Sequence, residues 1–166
     1  MKDFDSKLNA FFLSLNGRLQ SFPNIVAETA TEHFKERFIQ KNWDGEAWKP
    51  YKNPKREPKK GSLMMRSNNL MMSVRPSLVT SSRVRINAGS AKVPYARTHN
   101  EGLRMRGVQY VRPHHNSNFM GKGKRVQIQG FSRKMDYMMP KRQFMGKSKA
   151  LLALIEARAK NHLKTR

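Results

Sequence analysis

Cysteine is absent from the 166 residues. That excludes disulfides, thiolate zinc sites, iron–sulfur clusters and cysteine nucleophiles. Long apolar runs are missing too. No stretch of about 18 apolar residues occurs, so no segment is built to span a bilayer. The first residues, Met1-Lys2-Asp3-Phe4-Asp5, carry acids early and lead into no uninterrupted apolar run or small-residue cleavage site, unlike a secretory signal. The cytoplasm is the expected compartment. Hydrophobic residues reach only 37%, below the usual share of about 45–50%. The core is therefore expected to be small, and the length suits a single domain. Acids are scarce, with 11 Asp+Glu against 34 Lys+Arg and a formal charge of +23.

That charge is lopsided. Residues 1–48 hold six basic and seven acidic residues, a net of −1, while residues 49–166 carry +24. The basic part is most of the molecule rather than a tail. A field of this size attracts polyanions and repels copies of itself. Nucleic acid or an acidic protein surface is the natural partner class. Solubility alone would need a net charge of only about 2–8.

Apolar spacing sets the elements. Phe4, Leu8, Phe11, Phe12 and Leu15 recur every three or four residues and predict a first helix, placed within residues 1–20. Gly17 weakens its end. Ser21-Phe22-Pro23 then restarts the chain as a long helix over 21–42, with Pro23 in its first turn. Val26, Ala30, Phe34 and Phe38 form its inner stripe, and Glu28, Glu32 and Glu36 face outward. Residues 49–62 carry Pro50, Pro54 and Pro58 among Lys52, Lys55, Arg56, Lys59 and Lys60, the composition of a flexible basic loop. Leu63 to Val74 suits a short helical segment.

The sheet region is expected over 73–130. Ser73–Thr80, Arg83–Asn87, Val93–Thr98, Gly107–Arg112 and Arg125–Gly130 are its candidate strands. Residues 112–125, with Pro113, His114, His115, Gly121 and Gly123, read as a variable loop that carries Lys122, Lys124 and Arg125. Ser148 is placed to cap a last helix over 147–164, with Leu151, Leu152, Leu154 and Ile155 as its stripe. The order predicts an α+β domain: a small, mainly antiparallel sheet packed against a long N-terminal helix and a C-terminal helix.

Catalytic patterns are hard to find. Gly146-Lys147-Ser148 ends like a phosphate-binding loop, but Lys141 stands where the first glycine belongs. His114-His115 has no further ligand nearer than Glu101 and Asp136. His99 beside Asn100 and Glu101 suits a turn better than a general base. No Gly-x-Ser-x-Gly and no close carboxylate pair is present. No enzyme, metal site or cofactor is expected. Eleven methionines, among them Met64, Met65, Met71, Met72, Met138, Met139 and Met145, suit either core filling or an assembly surface.

Three segments stand out together. They are Asn42-Trp43-Asp44-Gly45-Glu46-Ala47-Trp48-Lys49-Pro50, Tyr95-Ala96-Arg97-Thr98-His99-Asn100-Glu101-Gly102 and Met139-Pro140-Lys141-Arg142-Gln143-Phe144-Met145-Gly146. In this order and spacing the chain resembles the phage virion morphogenesis proteins, also called tail completion or head–tail joining proteins. The likeness covers roughly residues 20–165. Gln143 stands where the family often has a second proline, and the local structure of the long, basic segment 103–125 is not carried over from the resemblance.

The motif residues read as structural. Trp43 and Trp48 are placed to pin the long helix onto the sheet. Tyr95 and Ala96 are expected to alternate across a strand, and Asn100 and Gly102 to sit in a turn that needs positive φ. Pro140 and Phe144 lead into the last helix, and Arg142 is placed to bond carbonyls or a neighbouring subunit's carboxylate. The resemblance implies a non-enzymatic component of a phage or prophage virion, assembled in the bacterial host cytoplasm. It would act at the head–tail junction beside other junction or tail proteins, as a ring of identical subunits, with no membrane partner. Nonspecific DNA contact by the basic residues fits the same picture. The other reading is a stand-alone nucleic-acid-binding protein, supported by charge and by Tyr51, Tyr95, Tyr110, Phe119, Phe131 and Tyr137 among the basic residues.

Overall fold

The computed structural model describes residues 2–51, 61–119 and 123–164. The fold is α+β. A long N-terminal helix and a C-terminal helix are joined by small antiparallel β-ribbons. Among the described residues each ribbon has two strands, so the expected single sheet is divided into separate pairs.

Helix α1 runs unbroken over Lys2–Gln40. The expected division near Gly17 and Ser21 is thus not made, and Pro23 lies inside the helix rather than in a first turn. Proline removes the N–H that would serve the Leu19 carbonyl. Neighbouring side chains support this stretch. Ser21 Oγ donates to the Arg18 carbonyl at 3.0 Å, and His162 Nε2 lies 3.1 Å from the same oxygen. Arg18 in turn donates to the Lys164 carbonyl at 2.7 Å.

The helix ends where the backbone turns left-handed. Lys41 has φ 55°, and Asp44 and Gly45 have φ 45° and 93°. Two successive positive values make the tight turn of a hairpin. It joins β1 (Asn42–Trp43) to β2 (Glu46–Ala47), and Trp48 N–H returns to the Lys41 carbonyl at 2.8 Å. Leu63 to Val74 holds only one helical turn, α2 (Asn69–Met72). Strands β3 (Arg75–Val79) and β4 (Val84–Asn87) pair antiparallel and lie against α1.

Two expectations fail in the next region. Val93–Thr98 is not a strand. Ala96–Glu101 forms helix α3, with Tyr95 before its first turn and Gly102 at φ 73° closing it. Ala96 is a strong helix former, and Gly102 accepts the left-handed closing position without penalty. Arg97 and Glu101 pair along one helix face at 3.1 Å. Nor is 112–125 simply a loop, since His114–Phe119 is strand β6. It pairs with β7 (Lys124–Ile128), and β5 (Arg104–Val111) pairs with β8 (Phe131–Met138). The four strands form one long hairpin, interrupted where Arg112-Pro113 faces Gln129-Gly130.

Helix α4 (Lys149–Leu163) begins at Ser148, whose Oγ accepts from Leu151 N–H at 3.1 Å. It runs back along α1, with Arg158 reaching Thr29 and Glu32 and His162 reaching Ser21. The core lies between them and the motif segments. Ala30, Phe34 and Phe38 of α1 meet Leu70, Val74, Val93, Phe144 and Leu151 there. Phe38 is fully buried, which is worth roughly 1.5–3 kcal/mol.

Candidate assembly surfaces

The three motif segments meet at one end of the core. Phe38 is the centre. Its ring lies edge-on to Trp48 at 5.6 Å and tilted against Phe144 at 4.8 Å. Trp43 stacks on Phe34 at 6.2 Å, half-buried. Trp48 Nε1 donates to the Gln143 carbonyl at 2.6 Å, joining the first segment to the third. Arg142, buried, repeats that link. Its guanidinium donates to the carbonyls of Lys49 and Pro50 at 2.8 and 3.2 Å and lies over the Tyr51 ring. Of its two sequence-based partners, the structure shows carbonyls of its own chain.

Asn100 joins the second segment to the third. Its Oδ1 accepts from the N–H groups of Phe144 and Met145 at 2.9 and 3.0 Å, and its Nδ2 donates to the Met145 carbonyl. One short side chain thus satisfies three groups of a segment that has no regular structure. Asn100 is expected with Gly102 in a turn of positive φ; it lies instead inside helix α3, and only Gly102 takes the left-handed position. Gly102 sits so close to Lys141 that a Cβ would fall 2.8 Å from the lysine's own Cβ. Gly146 passes near the Trp43 ring. Ala96 is buried, Tyr95 is half-buried against His99, and Pro140 borders a groove.

Two histidines are held in this region. Burial, then the Arg37 charge, pulls the pKa of His33 below the ordinary value. Burial, then Arg142, does the same to His99. Neither Nδ1 finds a partner among the described residues. The nearby carboxylates of Asp44 and Glu36 pull His33 the other way without outweighing its burial, and no group of three metal-binding side chains occurs among the described residues. The groove beside His99 has a volume of about 450 Å³ and is lined by Leu63, Met64, Leu70, Tyr95, Met139 and Pro140, among others.

The outer surfaces differ in character. Lys52, Lys55, Arg56, Lys59, Lys60 and Lys122 lie outside the described residues. Lys124 opens β7, and Arg125 beside it is exposed. Residues 104–138 carry eight Lys/Arg and one acid, so the long hairpin is strongly basic. On one of its faces Arg104 grips Asp136 with two hydrogen bonds while Arg106 stands 3.6 Å from the same carboxylate. The opposite face holds Met105, Val111, Phe131, Met135 and Tyr137, with Arg133 bonded to Gln109 between them. The start of α1 is a second outlying surface. Phe4, Leu8, Phe11, Phe12 and Leu19 are all exposed there.

No helix among the described residues is long and apolar enough to cross a membrane. Comparison with curated proteins and with solved structures finds no match. The model of one family does match, over residues 4–164, a span that includes all three motif segments, the long hairpin and both terminal helices. The chain belongs to the phage virion morphogenesis family.

Proposed function

We propose that the protein is a structural part of a phage or prophage virion that acts at the head–tail junction, as a tail completion or neck component, in a ring of identical subunits. Membership of the family carries the assembly role. The observation that carries the finer reading is the placement of the motif residues. They hold one end of the core together, leaving the α1 start and the long hairpin as surfaces for neighbours. A ring needs two different patches per subunit, and this chain presents two. The role is non-enzymatic, and the motif residues need no cofactor for it. Assembly takes place in the host cytoplasm beside other junction or tail proteins.

The basic hairpin faces a polyanion in this reading, either acidic surfaces of neighbouring virion proteins or DNA. Its exposed Tyr110, on the ribbon face that carries Arg104, Arg106 and Lys134, favours the DNA contact as a second role. Such binding weakens steeply with salt, since each neutralised phosphate releases counterions. The deciding experiment is electron microscopy of induced lysates lacking this gene. Filled heads and separate tails are expected. Intact infectious particles would overturn the junction role and leave the stand-alone nucleic-acid reading in its place.

A further inference from the structure

Two apolar faces of this chain have no partner among the described residues. The first is the start of α1. Arg18 and Ser21 contact the last residues of α4, so residues 2–17 run past the end of that helix by about 24 Å. Phe4, Leu8, Phe11, Phe12, Leu15 and Leu19 fall on one stripe about 100° wide. That stripe continues the face that buries Ala30 and Phe34 further along. Phe4 is 70% exposed and Phe12 57%. The second is the apolar face of the β5–β8 ribbon, where Phe131 and Tyr137 are each 45% exposed.

We infer that the α1 start of one copy lies along the apolar β5–β8 face of the next copy, as the repeating contact of the ring. This inference rests on the ring reading above and names its contact. Lengths agree, since eight paired residues give a ribbon of about 27 Å. The exposed side chains of the stripe offer roughly 500 Å², less than the standard interface's about 800 Å² per partner, so each single contact is a weak one that ring closure has to reinforce. Charge selects the pairing. Residues 2–20 hold three basic and two acidic residues, whereas the hairpin carries a net of +7. Ribbon against ribbon sets like charges together, and the near-neutral helix does not. A helix on a two-stranded ribbon also supplies the second layer that such a ribbon lacks by itself.

The absence of cysteine makes the test direct. Phe12→Cys and Met135→Cys are made in separate full-length chains, one carrying a size tag, and mixed under mild oxidation. The expected result is a mixed disulfide about tenfold more abundant than either self-disulfide. Predominant self-disulfides of Phe12→Cys would show helix against helix, and of Met135→Cys ribbon against ribbon. Either overturns the inference. Sedimentation of the unmodified protein separates the two levels. Assembly without the mixed disulfide removes this contact and leaves the ring, whereas a monomer at every concentration removes both. A double variant Leu8→Asp/Phe11→Asp is expected to sediment as a monomer with an unchanged thermal midpoint. A variant that still assembles would also overturn the inference.

Discussion

Phe38 touches no water, whereas Phe4, on the same helix, leaves 70% of its surface exposed. Nothing in local propensity separates them, since both sit on an apolar stripe with helical spacing. What separates them is what the rest of the chain places opposite. Around Phe38, three distant segments converge and satisfy one another's backbone groups through Trp48, Asn100 and Arg142. Opposite Phe4 the described residues place no packing partner, since helix α4 meets α1 beside Arg18. A small apolar allowance has been concentrated at one end, and the remainder is left for other molecules.

The contrast can be broken most sharply at the buried end. Phe38→Ala is expected to cost about 3–5 kcal/mol, read as a large fall in the denaturant midpoint. A change below about 1 kcal/mol would mean that the aromatic cluster is not the centre of stability. Asn100→Ala follows, at roughly 1–3 kcal/mol, since it strands the Phe144 and Met145 amides. Asn100→Asp keeps the acceptor and should recover part of that loss in the same assay.

Acid gives a smaller effect with a fixed sign. His33 and His99 have folded pKa values below the ordinary one. The unfolded chain therefore takes up their protons first as pH falls. Their contribution is complete above about pH 6.5 and is lost as pH drops through the folded values. Thermal midpoints are expected to fall between pH 7.5 and pH 5, and to fall less in His33→Gln. An equal slope in that variant would clear His33 of the effect. The smallest change belongs to the exposed end. Phe12→Ser should shift the stability of a monomer by no more than about 0.5 kcal/mol. A larger loss, measured at a concentration where the protein is monomeric, would show that the helix start packs within its own subunit.

Much of the buried end is legible in the sequence. Ala30, Phe34 and Phe38 repeat at one spacing, Ser148 marks a helix start, and Trp43 and Trp48 flank an Asp-Gly turn. The misreadings have local causes. Pro23 suggests a helix start because the support from Ser21 and His162 comes from side chains, one of them 141 residues away. Val93 to Thr98 looks extended because Val93, Tyr95 and Ala96 are apolar, yet the helix depends on Gly102 closing it. Strand β6 opens on polar His114, His115, Asn116 and Ser117, which show no apolar alternation. Strand β8 carries one in Phe131, Met135 and Tyr137, interrupted by Arg133 on the same face. The meeting of Asn100 with Phe144 could not be read, because it depends on a contact across 44 residues.

The unbroken course of α1 has a mechanical consequence. The outlying stretch and the core share one rod, so a neighbour gripping the first turns holds the interior directly, without a pliable linker between. A tilt imposed at the tip reaches Phe34 and Phe38 as torque, less whatever the bend at Pro23 absorbs. The softest point along that rod is Pro23, where one hydrogen bond is missing. Bending should concentrate there, beside the tie between Arg18 and the end of α4, so the rod and its brace would yield together.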